Sequence, residues 1–309
     1  MILSVSRRTD VPRFYFDWFL NRLKEGYCMV RNPMNFRQVS KIRLSPEIVD
    51  CIVFWTKEPS PMIGRLAQLK PYPYYIQFTI NPYAADMESN LPERAKRMDT
   101  FRRLSDKIGP QRVVWRYSPV LLNETYTEEY HLNAFARLAR ELKGYTQQCK
   151  LSFVDLYAKI RKTMDGLGVR NIKEEQKNRM ARTFFDIAAR EGIAVSACGN
   201  IDLVKAGIPP AKCIDDRLIS RITGYRYHLK KDSGQREDCS CVKSVDIGAY
   251  DTCLNGCRYC YANVSMECAR QNMQAYDPLS PLLCSELSPQ DKVSERVLKS
   301  DRQEQMKLF

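Results

Sequence analysis

The chain has 309 residues, 44% hydrophobic, 10% aromatic and 28% charged, which supports a sizeable core and excludes collagen, coiled coil and wholesale disorder. No apolar run approaches the roughly 20 residues of a membrane span, and Arg7-Arg8 interrupt the apolar start too early for a signal peptide, so a cytoplasmic location is expected. The net charge of +13, from 49 Lys and Arg against 36 Asp and Glu, favours a polyanionic partner, nucleic acid before a membrane surface.

Residues 2–6 (ILSVS) read as a buried strand. The turn Arg7-Arg8-Thr9-Asp10-Val11-Pro12 then starts a helix, with Asp10 as N-cap and Pro12 in the first turn. Phe16, Phe19, Leu20 and Leu23 fall at i, i+3, i+4 and i+7 and lay one face of it on a core. β-Branched and aromatic content marks further strands at 27–31, 51–55, 74–79, 112–117, 150–153 and 193–197. Amphipathic helices fill gaps at 91–108, 128–142 and 173–191, the last stopping at Gly192. Strand–helix alternation makes the fold α/β with a parallel sheet. Seven strands suit a (β/α) barrel or partial TIM-like barrel better than a short open sheet. This barrel-like domain is expected over 1–225. A cysteine-rich, cluster-binding segment packed on it follows at 226–285, then a charged tail at 286–309.

Twelve cysteines stand beside two histidines, His131 and His228. In a cytosolic chain that points to metal or redox chemistry rather than disulfides. It also leaves little material for His-based zinc hydrolysis or for a Ser-His-Asp or Cys-His nucleophile. Cys253-Leu-Asn-Gly-Cys257-Arg-Tyr-Cys260 is a C-x3-C-x2-C triplet with aromatic Tyr259 before its third cysteine. Three soft thiolates on one compact loop can hold three corners of a [4Fe–4S] cubane, and Gly256 relieves the tight backbone between the first two. The fourth iron then takes either a further cysteine, Cys241 or Cys239, or a small molecule with amine and carboxylate groups. The competing reading is a zinc knuckle built from Cys239, Cys241, Cys253, Cys257 and Cys260, which the single C-x2-C hook disfavours. Cys198 and Cys213 can join Cys239 and Cys241 in a second thiolate site. Ordinary buried cysteines are the favoured reading there, as for Cys28, Cys51, Cys149, Cys268 and Cys284.

In parallel barrels the chemistry gathers at the C-terminal strand ends. The catalytic candidates are Arg7, Asp10, Lys57, Arg116 and Asp155. The cofactor-binding candidates are Arg8, Thr56, Gln77, Asn200 and Tyr259, and the metal ligands are Cys253, Cys257 and Cys260 with Cys241. Arg31, Asn32, Thr79, Ser118 and Cys198 end strands too. Several cations at one mouth suit a phosphate, a carboxylate or a nucleic-acid backbone. Trp55 and Trp115 are expected in the core rather than as stacking platforms.

The triplet resembles the signature of radical S-adenosylmethionine (SAM) enzymes. There, three cysteines bind a [4Fe–4S] cluster, SAM chelates the unique iron, and the reduced cluster cleaves SAM to a 5′-deoxyadenosyl radical. Cys253, Cys257 and Cys260 match that motif position by position, and Tyr259 matches its aromatic. In that family the triplet follows the first barrel strand, whereas here it follows seven candidate strands. Nearly the whole chain also resembles the bacterial domain of unknown function 1848 family, through SVSRRTDVP (4–12), VRNP (30–33), IVFWTK (52–57), CVKSVDIGAYDTCLNGCRYCYAN (241–263) and the terminal Leu-Phe. That resemblance implies an iron–sulfur protein loosely related to radical SAM DNA-repair lyases. The expectation is a radical-SAM-like enzyme acting on a nucleic acid or phosphorylated substrate, with a reductant such as flavodoxin or ferredoxin and no membrane partner. The alternatives are a four-cysteine [4Fe–4S] electron-transfer protein and a nucleic-acid-binding protein with structural zinc. The terminal Gln305-Met306-Lys307-Leu308-Phe309 resembles the peptides with which DNA-repair proteins dock on the sliding clamp, carried on an exposed or weakly ordered tail after about Ser288.

Overall fold

The structure is a computed structural model that describes residues 1–199, 203–204 and 207–303. Asn200 and the terminal Gln305-to-Phe309 motif lie outside the described residues. Seven strands form one sheet: β1 (Ile2–Val5), β4 (Cys51–Thr56), β5 (Tyr74–Thr79), β6 (Val113–Val120), β7 (Gln148–Phe153), β8 (Ala194–Ala197) and β9 (Val245–Asp246). Their order is β8-β7-β6-β5-β4-β1-β9, and every pairing is parallel. β1, β4 and β5 are buried along their whole length, which is why they read as near-continuous apolar runs: both faces are covered.

The two faces differ. Ile52, Phe54, Ile76, Phe78, Trp115 and Tyr117 pack on one face in the main core, where α4 (Arg94–Ile108), α5 (Glu128–Glu141) and α7 (Glu174–Arg190) lay Phe101, Phe135 and Phe184. Ile2, Val53, Trp55, Tyr75 and Val114 pack on the other against Cys213, Ile214, Leu218, Cys239 and Cys241. Nearer the C-terminal strand ends that second face turns polar. Register places Thr79, Arg116, Lys150 and Ser196 side by side across β5 to β8.

The strand expected at 27–31 is present but belongs elsewhere. β2 (Tyr27–Asn32) makes an antiparallel hairpin with β3 (Asn35–Arg43), and β10 (Lys292–Glu295) adds parallel to β3. Arg31 therefore does not reach the strand-end mouth; its guanidinium pairs with Asp291 at 2.6 Å. The seventh strand of the large sheet is β9, contributed by the cysteine-rich segment. The segment after Ser288 is also tied down as far as it is described. Besides β10, the Met1 ammonium donates to Lys299 O at 2.9 Å and the Asp301 N–H donates to Asp50 at 2.8 Å. The tail from Ser288 is therefore mostly exposed, as expected, but as far as it is described it is ordered as a strand and a return to the N-terminus.

β8 and β9 are the two edges of the sheet. Irregular backbone runs between them: Ala197 N–H donates to Pro209 O at 2.9 Å, Ala211 N–H to Ala197 O at 2.7 Å and Val242 N–H to Ile214 O at 3.2 Å. No helix among the described residues is long and apolar enough to cross a membrane.

Candidate functional site

A cavity of about 530 Å³ lies where residues at or just after the C-terminal ends of all seven strands meet the cysteine loop; Arg7, Lys57, Thr79, Arg116, Ser152, Cys198 and Asp246 all line it. Asp10 organises the approach. Its Oδ1 caps α1 (Val11–Phe14) by accepting from the Arg13 N–H at 3.2 Å. Its Oδ2 accepts from the Lys57 N–H at 2.8 Å and from Asn255 Nδ2 at 2.9 Å. One buried carboxylate thus ties the ends of β1 and β4 to the cysteine loop. Desolvation raises its pKa despite these donors.

The cysteine loop is seated against the loop after β5. Asn90 Nδ2 donates to Leu254 O at 2.9 Å and the Arg258 N–H to Met87 O at 3.0 Å. Gly256 adopts φ +71, and a Cβ there would collide with Ser89 Oγ, so only glycine fits. Cys253, Cys257 and Cys260 are half-buried free thiols that all line the cavity. Burial pushes their pKa values up, and the charge of the neighbouring thiols adds to the rise at Cys253 and Cys257.

Tyr259, which lines the same cavity, carries its hydroxyl into a buried ion network. Its hydroxyl donates to Glu88 and accepts from Lys57 Nζ at 2.8 Å and Asn81 Nδ2 at 3.1 Å. Lys57 Nζ also pairs with Glu88 at 2.8 Å, and Arg97 does so at 3.2 Å. Burial alone would raise Glu88, but the two cations outweigh it and hold the carboxyl below its ordinary range. Lys57 and Tyr259 therefore brace the loop.

Two arginines add further positive charge, Arg7 with Nη1 3.9 Å from Asp232. Arg7 and Arg116 stand over the Trp55 ring, 5.3 and 4.9 Å from its centroid. Arg7 Nη2 and Arg116 Nε are buried with no hydrogen-bond partner among the described residues. Trp55 is thus a core residue, as expected, whose ring also supports both guanidinium groups.

A family model described as Domain of unknown function (DUF1848) matches residues 2–262. The chain belongs to the DUF1848 family. Every residue lining the cavity falls inside the DUF1848 region. No curated protein matches the chain at a significant level.

Within the DUF1848 region the other site candidates separate as follows. Arg8 lines the cavity, donates to Gly248 O at 3.2 Å and stands over Tyr250 at 5.1 Å. Thr56 lines it too, with Oγ1 accepting from the Glu58 N–H at 3.0 Å. Asp155 reaches its outer rim, paired with Arg236. Gln77 is fully buried below it and donates to Cys213 O at 2.8 Å, so it holds backbone rather than facing the mouth.

Cys241 is not among the triplet. It sits with Cys213, Cys239 and Cys198. The Cys213 and Ile214 N–H groups donate to its Sγ at 3.3 and 3.5 Å, and the Cys213 and Cys239 thiols lie within electrostatic reach of it. Cys213 Sγ lies 3.8 Å from Cys198 Sγ. As placed, no three Cys, His, Asp or Glu side chains among the described residues surround a single ion. For the triplet, three cavity-lining thiols without disulfide partners fit a cubane, whose corners hold thiolates further apart than one ion does.

Three residues escaped the sequence reading: Glu88, Asn255 and Asp246. Asp246 accepts from Ser4, Ser6 and the Arg7 N–H at 2.6 to 2.8 Å and so sets the β1 turn. Asn255 lay inside the motif as an unmarked spacer. Nothing local distinguishes Glu88 from a surface acid.

Proposed function

We propose that this DUF1848 protein is a radical-SAM-like [4Fe–4S] enzyme acting on a nucleic acid or another phosphorylated substrate. The observation that carries the reading is that the Cys253–Cys257–Cys260 loop opens onto the same cavity as the unpartnered nitrogens of Arg7 and Arg116. Cys241 is engaged with Cys213 and Cys239, which leaves the fourth iron position for a small molecule with amine and carboxylate groups. A cluster held there and completed by SAM supplies, on reduction, the initiator for breaking an unactivated C–H bond. The chain's own residues bind and orient. Arg7 and Arg116 receive an anionic group through charge-assisted hydrogen bonds. Asp10 and Asn255 keep the loop in register with the strand ends. Ends of all seven strands around one cavity fit a partial (β/α) barrel with its mouth as the active site. A one-electron donor such as flavodoxin or ferredoxin completes the system, and DNA repair or modification is a setting consistent with the basic charge.

The test is anaerobic reconstitution with iron and sulfide, followed by SAM and a reductant. The chain should bind about four irons, change its reduced spectrum on adding SAM, and release 5′-deoxyadenosine. Cys257→Ala should lose iron, brown colour and product together. A reduced spectrum indifferent to SAM, with no 5′-deoxyadenosine formed, refutes the reading.

A further inference from the structure

Four cysteines that the triplet does not use lie on the floor of the cavity, and we propose that Cys198, Cys213, Cys239 and Cys241 form a second thiolate-ligated metal centre that staples the two open edges of the sheet. The inference does not depend on the SAM reading.

Their placement carries it. Cys198 follows directly on β8, one edge strand, and the Cys239-x-Cys241 hook stands four residues before β9, the other edge. Cys213 lies between them, its carbonyl fixed by Tyr75 Oη at 2.6 Å and Gln77 Nε2 at 2.8 Å. The Cys198–Cys213 sulfur separation of 3.8 Å equals a tetrahedral edge: two thiolates at about 2.3 Å from a tetrahedral ion lie about 3.8 Å apart. Two backbone N–H groups already aim at Cys241 Sγ; such donors stabilise thiolate charge and set the ligand's orientation. Arg7, within electrostatic reach of Cys241 and Cys213, offsets the negative charge of a tetrathiolate. The Cys198 and Cys213 sulfurs are in contact, Cys241 Sγ sits on the Cys213 N–H, and Cys239 is two residues from Cys241. As placed they do not yet surround an ion, and a bound metal draws them in.

The location gives the centre a purpose. A parallel sheet that ends at β8 and β9 leaves two edges with unpaired backbone groups. Among the described residues irregular backbone spans the gap, held by the Ala197, Ala211 and Val242 bonds. A four-thiolate centre fixes that backbone by bonds that neither burial nor hydrogen bonding supplies. It also sets the floor against which Trp55, Arg7 and Arg116 face the cavity. The shared chemistry is soft thiolate ligation, which suits either one zinc ion or a small iron–sulfur cluster.

The experiment measures zinc, iron and acid-labile sulfide per chain in the full-length protein purified without oxygen. The first variant, C253S/C257S/C260S, removes the triplet and leaves the four cysteines intact. It should retain a metal: about one zinc without sulfide for a single ion, or iron with sulfide for a cluster. The second, Cys241→Ser in that triplet-free background, should lose it. A triplet-free chain that is folded by circular dichroism yet holds neither zinc nor iron overturns the proposal. So does a Cys241→Ser chain with undiminished metal. Failure of 5′-deoxyadenosine formation in the wild type bears on the triplet alone and leaves these readouts untouched.

Discussion

His131 is buried with both ring nitrogens bonded, Nδ1 to Tyr117 Oη at 2.8 Å and Nε2 to Leu121 O at 2.9 Å. A carbonyl can only accept, so Nε2 carries the proton and Nδ1 accepts from Tyr117. Burial lowers its pKa to about 4, with the bond to Leu121 opposing. The unfolded chain, with a pKa near 6.5, then binds more protons than the folded one between the two values. Stability is present above about pH 6.5 and is lost as pH falls towards about 4, by roughly 3 kcal/mol in all. Urea midpoints measured across that window should fall with acid, and His131→Gln should flatten the slope; an unchanged slope refutes the assignment. At the ion network, Lys57→Ala leaves Glu88 buried with only Arg97 to balance it and should cost about 3 kcal/mol. Adding Glu88→Gln should recover part of that loss, read from the denaturation midpoints of the single and double variants.

At the scale of elements, β9 shows how a close approach, rather than propensity, places a strand. It has two residues and no β-rich run, yet it pairs with Leu3 and Ser4 because Asp246 gathers the β1 hydroxyls and Gly248 lets the chain lie on Ser6. A Cβ at Gly248 would stand 2.5 Å from Ser6 Cβ and 3.3 Å from Thr9 Cγ2. Gly248→Ala should therefore destabilise the chain by roughly 1–3 kcal/mol, the usual cost of overpacking, and Ser6→Gly should relieve it; additive effects in that cycle would remove the steric explanation. β2 went to the other sheet for a related reason. Only one of its six residues is buried, against all six of β4, so it lacks the two covered faces a central parallel strand needs. The Pro33-Met34 turn joins it to β3, and that hairpin was the local signal that the β-content reading passed over.

The whole molecule carries +13, and its cavity holds guanidinium nitrogens that have no hydrogen-bond partner among the described residues. Binding to DNA, measured by anisotropy, should weaken steeply as salt rises from about 50 to about 200 mM, because phosphate contacts release counterions. An affinity indifferent to salt would leave a small phosphorylated substrate as the better reading.

The parallel α/β class, most strand and helix positions, the cysteine triplet and the cations near the strand ends are legible in the linear order of residues alone. Each is written in periodicity, propensity or spacing within a few neighbouring residues, where local physics acts. Tertiary structure alone decided that Tyr27–Asn32 leaves the large sheet and Val245–Asp246 joins it, and that Gln77 holds Cys213 rather than facing the mouth. It also decided that Lys57 and Tyr259 close on Glu88, and that Cys241 sits with Cys198 and Cys213 instead of the triplet. These pairings join residues 28 to 242 positions apart. Which of them meet is fixed by packing of the two sheet faces and by the cost of leaving buried polar groups unpaired, neither of which is encoded at any single position.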